Sequence, residues 1–297
     1  MKLGIHYIYW QKDLNCQSYV PYVSKAKQLG FDVLELGDYL VLNMPEYEVN
    51  ALASAAKEYD IELSIGLDPR QEDALTSNDS ACRVRGIRFY CDLFPRLQKL
   101  GIKTLAGHFL NAEPIFPVSK NRETELMRGA ESISQIGRCA AEYGISINIE
   151  IVNRFESHLL NTAQQGVAFA KEVGLSNVKL TLDTVHMNIE EDSFYQALTT
   201  AGNYLGHVHL CENNRRLPGK GKMPWLEIRD ALFQIGYKGI MTMEPLVQTG
   251  GDLGDYARIW RDMTDGADEE MMDAAAAKAA RFIRYLFGLE ICPQCRG

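Results

Sequence analysis

The sequence has no apolar run approaching the length of a membrane span. Its opening Met1-Lys2-Leu3-Gly4-Ile5 reads as a first strand and has neither the long apolar region nor the small-residue cleavage site of a signal peptide. It has no basic excess: 31 Lys and Arg stand against 39 Asp and Glu, for a net charge of -8. A nucleic-acid partner usually needs a basic face, so this balance argues against one. No second CxxC accompanies Cys292-Pro293-Gln294-Cys295, and the 7 cysteines are odd in number and scattered. That usage fits free thiols in a reducing cytoplasm, and the lone CxxC reads as an incidental tail feature. There is no GxGxxG after the first strand, no Walker pattern, no linker and no low-complexity segment. The expectation is a cytoplasmic chain with neither membrane nor nucleic-acid partners.

What is present is a repeated unit: a short apolar strand, a polar loop, then an amphipathic helix. Helix ends are marked by Gly followed by an apolar residue, as in Leu29-Gly30-Phe31, Leu100-Gly101-Ile102, Tyr143-Gly144-Ile145, Val173-Gly174-Leu175 and Ile235-Gly236-Tyr237. Glycine tolerates the left-handed conformation that stops a helix, and the apolar residue starts the next strand. This predicts strands near 3–7, 33–36, 62–66, 103–107, 146–150, 178–183, 206–210 and 239–244. Helices are predicted over about 19–29, 47–59, 81–100, 123–143, 162–173, 193–200 and 225–235, with a closing helix over 267–287. With 297 residues, 46% of them hydrophobic, the pattern points to an α/β fold, a (βα)8 TIM barrel. It is expected to be a single domain over 1–297, with 290–297 as a tail. The rival is an open doubly wound sheet, which the missing GxGxxG disfavours.

Four successive strands finish on a residue that can ligate a metal. Ile145-Ser146-Ile147-Asn148-Ile149 ends at Glu150, Lys179-Leu180-Thr181-Leu182 at Asp183, His207-Val208 at His209, and Ile240-Met241-Thr242-Met243 at Glu244. A charge at the tip of an apolar strand is costly unless something there needs it. A single such acid reads equally as a helix cap, and His209 alone as a core histidine. Four on consecutive strands are hard to obtain by accident. In a barrel the C-terminal strand ends open on one face, which gathers all four on one rim. Three carboxylates and an imidazole make an oxygen-rich site suited to Mn2+, Mg2+ or Co2+ rather than a thiolate-type zinc site. Neighbouring loops carry Glu156, His186 and Arg215, which can hydrogen-bond hydroxyl and carbonyl oxygens. The bland alternative is an ion pair between Glu156 and an arginine. The stretch 218–222 reads as a mobile rim loop, and Cys211 reads as packing rather than as a pocket group.

The runs Asn148-Ile149-Glu150, Asn153-Arg154-Phe155-Glu156, Leu182-Asp183-Thr184-Val185-His186-Met187-Asn188, Gly206-His207-Val208-His209, Asn214-Arg215-Arg216-Leu217-Pro218-Gly219-Lys220-Gly221 and Met243-Glu244-Pro245 resemble the ketose 3-epimerases. These are the D-psicose (D-allulose) and D-tagatose 3-epimerases, within the xylose-isomerase-like barrels. The resemblance spans nearly the whole chain and is densest after residue 145. It implies that Glu150, Asp183, His209 and Glu244 bind Mn2+ or a similar ion, and that Glu150 and Glu244 also form the acid–base pair. It places Glu156, His186 and Arg215 around O1 and O2 of a small-molecule ketose, with His6 and Gly66 as further substrate contacts. It also implies a homodimer or homotetramer.

The departures lie in the first half. Many relatives have an aromatic residue where this chain has His6. The loop 109–114 has no counterpart to the family's usual tryptophan, and another tryptophan is replaced near Leu14. These positions contact the distal end of the sugar in relatives, so they bear on substrate preference rather than on chemistry. The competing readings are an aldose–ketose isomerase or inosose dehydratase on the same barrel, a zinc endonuclease-like barrel, and a non-catalytic sugar-binding protein. The endonuclease needs a richer histidine cluster and a basic groove, against 6 histidines and an acidic total here.

Overall fold

A computed structural model of the chain describes residues 1–13, 17–67, 71–110 and 121–290. Eight parallel strands close in chain order into a barrel. They are β1 (Lys2–His6), β2 (Val33–Gly37), β3 (Glu62–Leu67), β4 (Thr104–Gly107), β5 (Ser146–Ile151), β6 (Val178–Asp183), β7 (Leu205–Leu210) and β8 (Ile240–Met243). Closure is made where β8 pairs with β1, from Lys2↔Ile240 to Ile5↔Met243. The barrel expectation holds, and the open doubly wound sheet does not.

The outer helices fall where the punctuation puts them. They are α1 (Val20–Gln28), α3 (Glu46–Glu58), α4 (Ser80–Lys99), α5 (Arg122–Glu142), α6 (Ala163–Val173), α8 (Phe194–Ala201), α9 (Trp225–Gln234) and α11 (Glu269–Phe287). The side chain of Thr162 caps the start of α6, and Gly174, at φ 70°, stops it. Three short helices were not expected: α2 (Asp38–Asn43), α7 (Thr184–Glu190) and α10 (Gly251–Tyr256). All three lie in connections at the C-terminal end of the barrel, too short to show a helical period in the sequence.

The strands alternate. Leu34, Leu36, Ile147, Ile149, Leu180, Leu182, Val208 and Met241 are buried in the apolar layer between sheet and helices. The residues between them, Glu35, Asn148, Thr181, His207 and Thr242, are polar and equally buried. Period-two alternation turns this second set toward the barrel axis. Hydrogen bonds across the interior confirm it, since Thr242 of β8 and Ser64 of β3 both donate to Glu35 of β2.

The final helix is locked onto the start of the barrel. Arg284 is buried and donates to the Gly30 carbonyl at 2.8 Å and to Asp32 Oδ1 at 2.6 Å. Asp32 Oδ2 in turn accepts from the Leu3 amide. Among the described residues, Cys82, Cys91, Cys139 and Cys211 are free thiols, and no helix is long and apolar enough to cross a membrane. Leu14 and the Cys292–Cys295 pair lie outside the described residues.

Candidate active site

The four strand-end residues do meet. One ligating atom from each of Glu150, Asp183, His209 and Glu244 can be chosen so that all lie within 4.8 Å of one another. The alignment is made by register, which puts Asp183 opposite His209 and Glu150 opposite Thr181. The strand ends are less uniform than expected. Ile151 follows Glu150 and Leu210 follows His209 within their strands, while Glu244 lies one residue beyond β8. What the four share is an inward-facing position near the same rim.

His209 Nδ1 lies 2.8 Å from Glu150 Oε1 and 3.7 Å from Glu244 Oε2. Asp183 Oδ1 caps α7, accepting from the Val185 and His186 amides. The helix-cap reading of a strand-end acid is therefore true of Asp183, but its other oxygen serves the cluster. Oδ2 lies 3.0 Å from Arg215 Nη1, which is also 3.1 Å from Glu244 Oε2.

The cluster divides its carboxylates electrostatically. Burial alone would raise the Glu150 carboxyl, but His209, with His186 and Arg215 behind it, holds it down at about 2. Burial raises Glu244 to about 8: His209 and Arg215 pull it down, but the charges of Glu150 and Asp183 push the other way. Burial opposes a charge on His209, yet Glu150, Glu244 and Glu35 raise it well above the usual imidazole range. So many acids in one buried pocket call for a compensating cation, and the oxygen-rich donor set fits a hard divalent ion.

The loop groups surround this cluster. Asn153 is buried, and its Nδ2 reaches both Glu156 Oε1 at 3.0 Å and His186 Nδ1 at 2.8 Å. It fixes two of the expected sugar contacts at once, a role that sequence reading missed. His186 Nε2 is left facing Glu156 Oε2 at 3.6 Å. The suspected Glu156–arginine pair exists but is long, with Arg215 Nη2 at 3.9 Å. Arg215 itself sits at φ 61°. That uncommon backbone is held by Arg215 N donating to the Glu212 carbonyl and Leu246 N donating to the Arg215 carbonyl.

The 218–222 stretch, expected as a mobile rim loop, is anchored at Gly219 and just beyond it at Met223. Fully buried Glu212 accepts from the Gly219 and Met223 amides and from Trp225 Nε1. These bonds tie the loop down and with it the turn that carries Arg215. Cys211 is wholly buried, 3.9 Å from Asp183 Oδ2, and burial raises its thiol well above the ordinary range. It packs, as expected.

A cleft of about 970 Å³ opens over the cluster, lined by His6, Gly66, Glu150, Glu156, His186, His209, Arg215 and Glu244 among others. His6 accepts from the Ile8 amide at Nδ1, and burial lowers its pKa to about 4. The neutral ring therefore keeps its proton on Nε2. Gly66 lies against that edge, since a Cβ there would come 2.4 Å from His6 Nε2. The loop expected to border the sugar's distal end behaves differently at its start. Phe109 and Leu110 are in the core, Phe109 against Tyr90, and 111–114 lie outside the described residues. Among the described residues, the cleft is also lined from the 246–263 segment, including Tyr256, Arg258 and the exposed Trp260.

A parallel eight-stranded barrel with this acid–imidazole cluster at its C-terminal rim defines a barrel enzyme able to bind a metal ion. The xylose isomerase-like TIM barrel family model matches residues 23–275. The chain is 43% identical over 289 residues to a D-psicose 3-epimerase of Agrobacterium fabrum, covering 97% of this chain and 100% of that one. It is 42% identical over 287 residues to a D-psicose 3-epimerase of Ruminiclostridium cellulolyticum, covering 96% and 98%. Among solved structures, a D-psicose 3-epimerase crystallised in the presence of D-fructose superposes with a TM-score of 0.94 at 43% identity, covering 97% of this chain and 100% of that one. The chain belongs to the xylose isomerase-like TIM barrels and, within them, to the ketose 3-epimerases.

Proposed function

We propose that the chain inverts C3 of free ketoses, with D-fructose and D-psicose as the first pair and D-tagatose and D-sorbose as the alternative. The observation that carries this reading is the convergence of Glu150 and Glu244, with Asp183 and His209, in one cluster at the barrel rim of a chain 43% identical to a D-psicose 3-epimerase. Inversion at C3 needs a proton taken from one face and another delivered to the opposite face. Two carboxylates brought to one centre from different strands are suited to that exchange. Which of the two acts first depends on the C3 configuration of the substrate and reverses with direction.

Glu150, Asp183, His209 and Glu244 would hold a divalent cation, Mn2+ in preference to Co2+ or Mg2+. When bound, it supplies Lewis-acid polarisation of the C2 carbonyl, which acidifies C3. Arg215, His186 and Glu156 orient O1 and O2, and Asn153 keeps the latter two in place. His6 offers its Nε2 proton to the sugar's distal hydroxyls, with Gly66 leaving room for the ring. The chain is taken to act in the cytoplasm as a homodimer or homotetramer, as the family resemblance implies; free thiols at Cys82, Cys91, Cys139 and Cys211 are consistent with that compartment.

The test is incubation with D-fructose, D-psicose and D-tagatose, with and without Mn2+, and separation of the products. A C3 epimer formed only with the cation is expected. No epimer from these hexuloses or from pentuloses would overturn the proposal. An aldose or a dehydrated cyclitol would assign the chain to the related isomerases or dehydratases instead.

A further inference from the structure

Beneath the cluster lies a carboxylate that the proposed reaction does not use. Glu35, on β2, is fully buried. Its Oε1 is 2.9 Å from His209 Nε2. Its Oε2 accepts from Ser64 Oγ at 2.7 Å and Thr242 Oγ1 at 3.2 Å, and lies 3.1 Å from His207 Nε2. A buried ionised carboxylate is costly, and here Ser64, Thr242 and His209 stand within hydrogen-bond distance of it, while His207 Nε2 lies beside it without a hydrogen bond. Those donors come from β3, β7 and β8, so the group sits at the centre of the barrel.

The two ring nitrogens of His209 are thereby separated in role. Nε2 points down to Glu35, while Nδ1 points up to Glu150 and Glu244. A hydrogen on Nε2 donated to Glu35 leaves Nδ1 as the nitrogen whose lone pair a cation can take. His207 packs edge-on against the His209 ring at 5.0 Å and 85°. Glu35, His207 and His209 also have atoms close enough to form a three-ligand group of their own. The hydroxyls of Ser64 and Thr242 already occupy Oε2, which makes Glu35 an acceptor rather than a ligand.

We propose that Glu35 is a positioning residue: it fixes the tautomer and orientation of His209, so that Nδ1 is presented to the divalent cation. The inference rests on the reading of the four-residue cluster as a cation site, but not on which sugar is used. Partners that hold a ligating histidine in this way typically contribute about 10–100-fold in metal affinity.

The experiment measures Mn2+ affinity of the full chain by calorimetry, together with metal-free thermal unfolding, for wild type, E35Q, E35D and S64A. E35Q and E35D are expected to bind Mn2+ about 10–100-fold more weakly. S64A removes a donor from Oε2 but spares the Oε1 contact with His209, and is expected to lower the unfolding temperature with unchanged affinity. With diamagnetic Mg2+ bound, 1H–15N correlation spectra of wild type should show His209 protonated at Nε2, and E35Q should lose that uniform signature. If E35Q does not fold, E35D against S64A makes the same comparison. Wild-type affinity in the Glu35 variants that fold would overturn the proposal, reducing Glu35 to a structural charge. Two ions bound by wild type and one by E35Q would also overturn it, making Glu35 a ligand. Wild type that binds Mn2+ but forms no epimer would sink the proposed function and leave this inference standing.

Discussion

Arg215 Nη1 lies 3.0 Å from Asp183 Oδ2, the one Asp183 oxygen not spent on capping α7. The two oxygens of one side chain thus do separate work. Asp183→Asn keeps an oxygen to cap α7 but turns an amide NH2 toward Arg215, so the cap is spared while the buried ion pair is lost and stability should fall. It removes a charge from the cluster, so Mn2+ affinity should fall by more than about 100-fold, beyond the loss typical of an outer partner. Thermal unfolding and calorimetry on the same variant check both halves.

Cation binding should release more than one proton at neutral pH, from Glu244 and from the raised His209. Glu244 is raised to about 8 in the fold, against about 4.3 when unfolded. Between those values the folded, cation-free protein holds the extra proton. The contribution of Glu244 to stability is therefore greatest below about 4.3 and is lost as pH rises through 8. Glu150, held at about 2, has the opposite sign: its contribution is present above about 4.3 and is lost as pH falls toward 2. Apparent Mn2+ affinity should climb with pH as Glu244 and the raised His209 give up their protons. Calorimetry in two buffers of different ionisation enthalpy reads the released protons directly.

Glu150→Gln and Glu244→Gln should each reduce epimerisation by about 10²–10⁴-fold, the usual worth of a positioned acid or base. Initial rates should be taken in both directions from one C3-epimeric pair. A variant that keeps full rates both ways would exclude its carboxyl from proton transfer.

Gly66→Ala tests the cleft wall. The added Cβ would come 2.4 Å from His6 Nε2 and 2.8 Å from its Cδ2, so the His6 ring must move. KM for the preferred ketose should rise by about tenfold, equivalent to about 1.4 kcal/mol, with a smaller change in kcat. Equal effects on both would place His6 in the chemical step.

Arg284→Met should act on stability alone. It breaks the buried bond to the Gly30 carbonyl and the part-buried pair with Asp32 that join α11 to the barrel's start. A loss of about 1–3 kcal/mol is expected in denaturant unfolding, with kcat unchanged at low temperature.

Much of the site could be read before any coordinates because of how a barrel is built. Its strand ends converge, so residues at equivalent strand positions become neighbours whatever their separation in sequence. Glu150, Asp183, His209 and Glu244 were found in this way. Glu35 carries a similar signal, a carboxylate among Val33, Leu34 and Leu36, but it sits inside its strand rather than at the tip. Its meaning depends on what faces it across the barrel. Asn153 and Glu212 escaped for a different reason: both act by bonding to loop groups whose positions no periodicity predicts. The tie from Glu212 also anchors the glycine-rich 218–222 stretch at Gly219, a bond that its composition does not show.

The sequence by itself determined the eight strand–helix units, their order, and the acids and imidazole that gather at the rim. These follow from local periodicity and from the geometry every such barrel shares. Only the tertiary structure decided which oxygen of Asp183 caps a helix, which nitrogen of His209 faces the carboxylates, and which of Glu150 and Glu244 keeps a proton. Each of those depends on burial and on charges brought together from distant strands, and proton affinity in a buried cluster is set by the neighbours rather than by the residue.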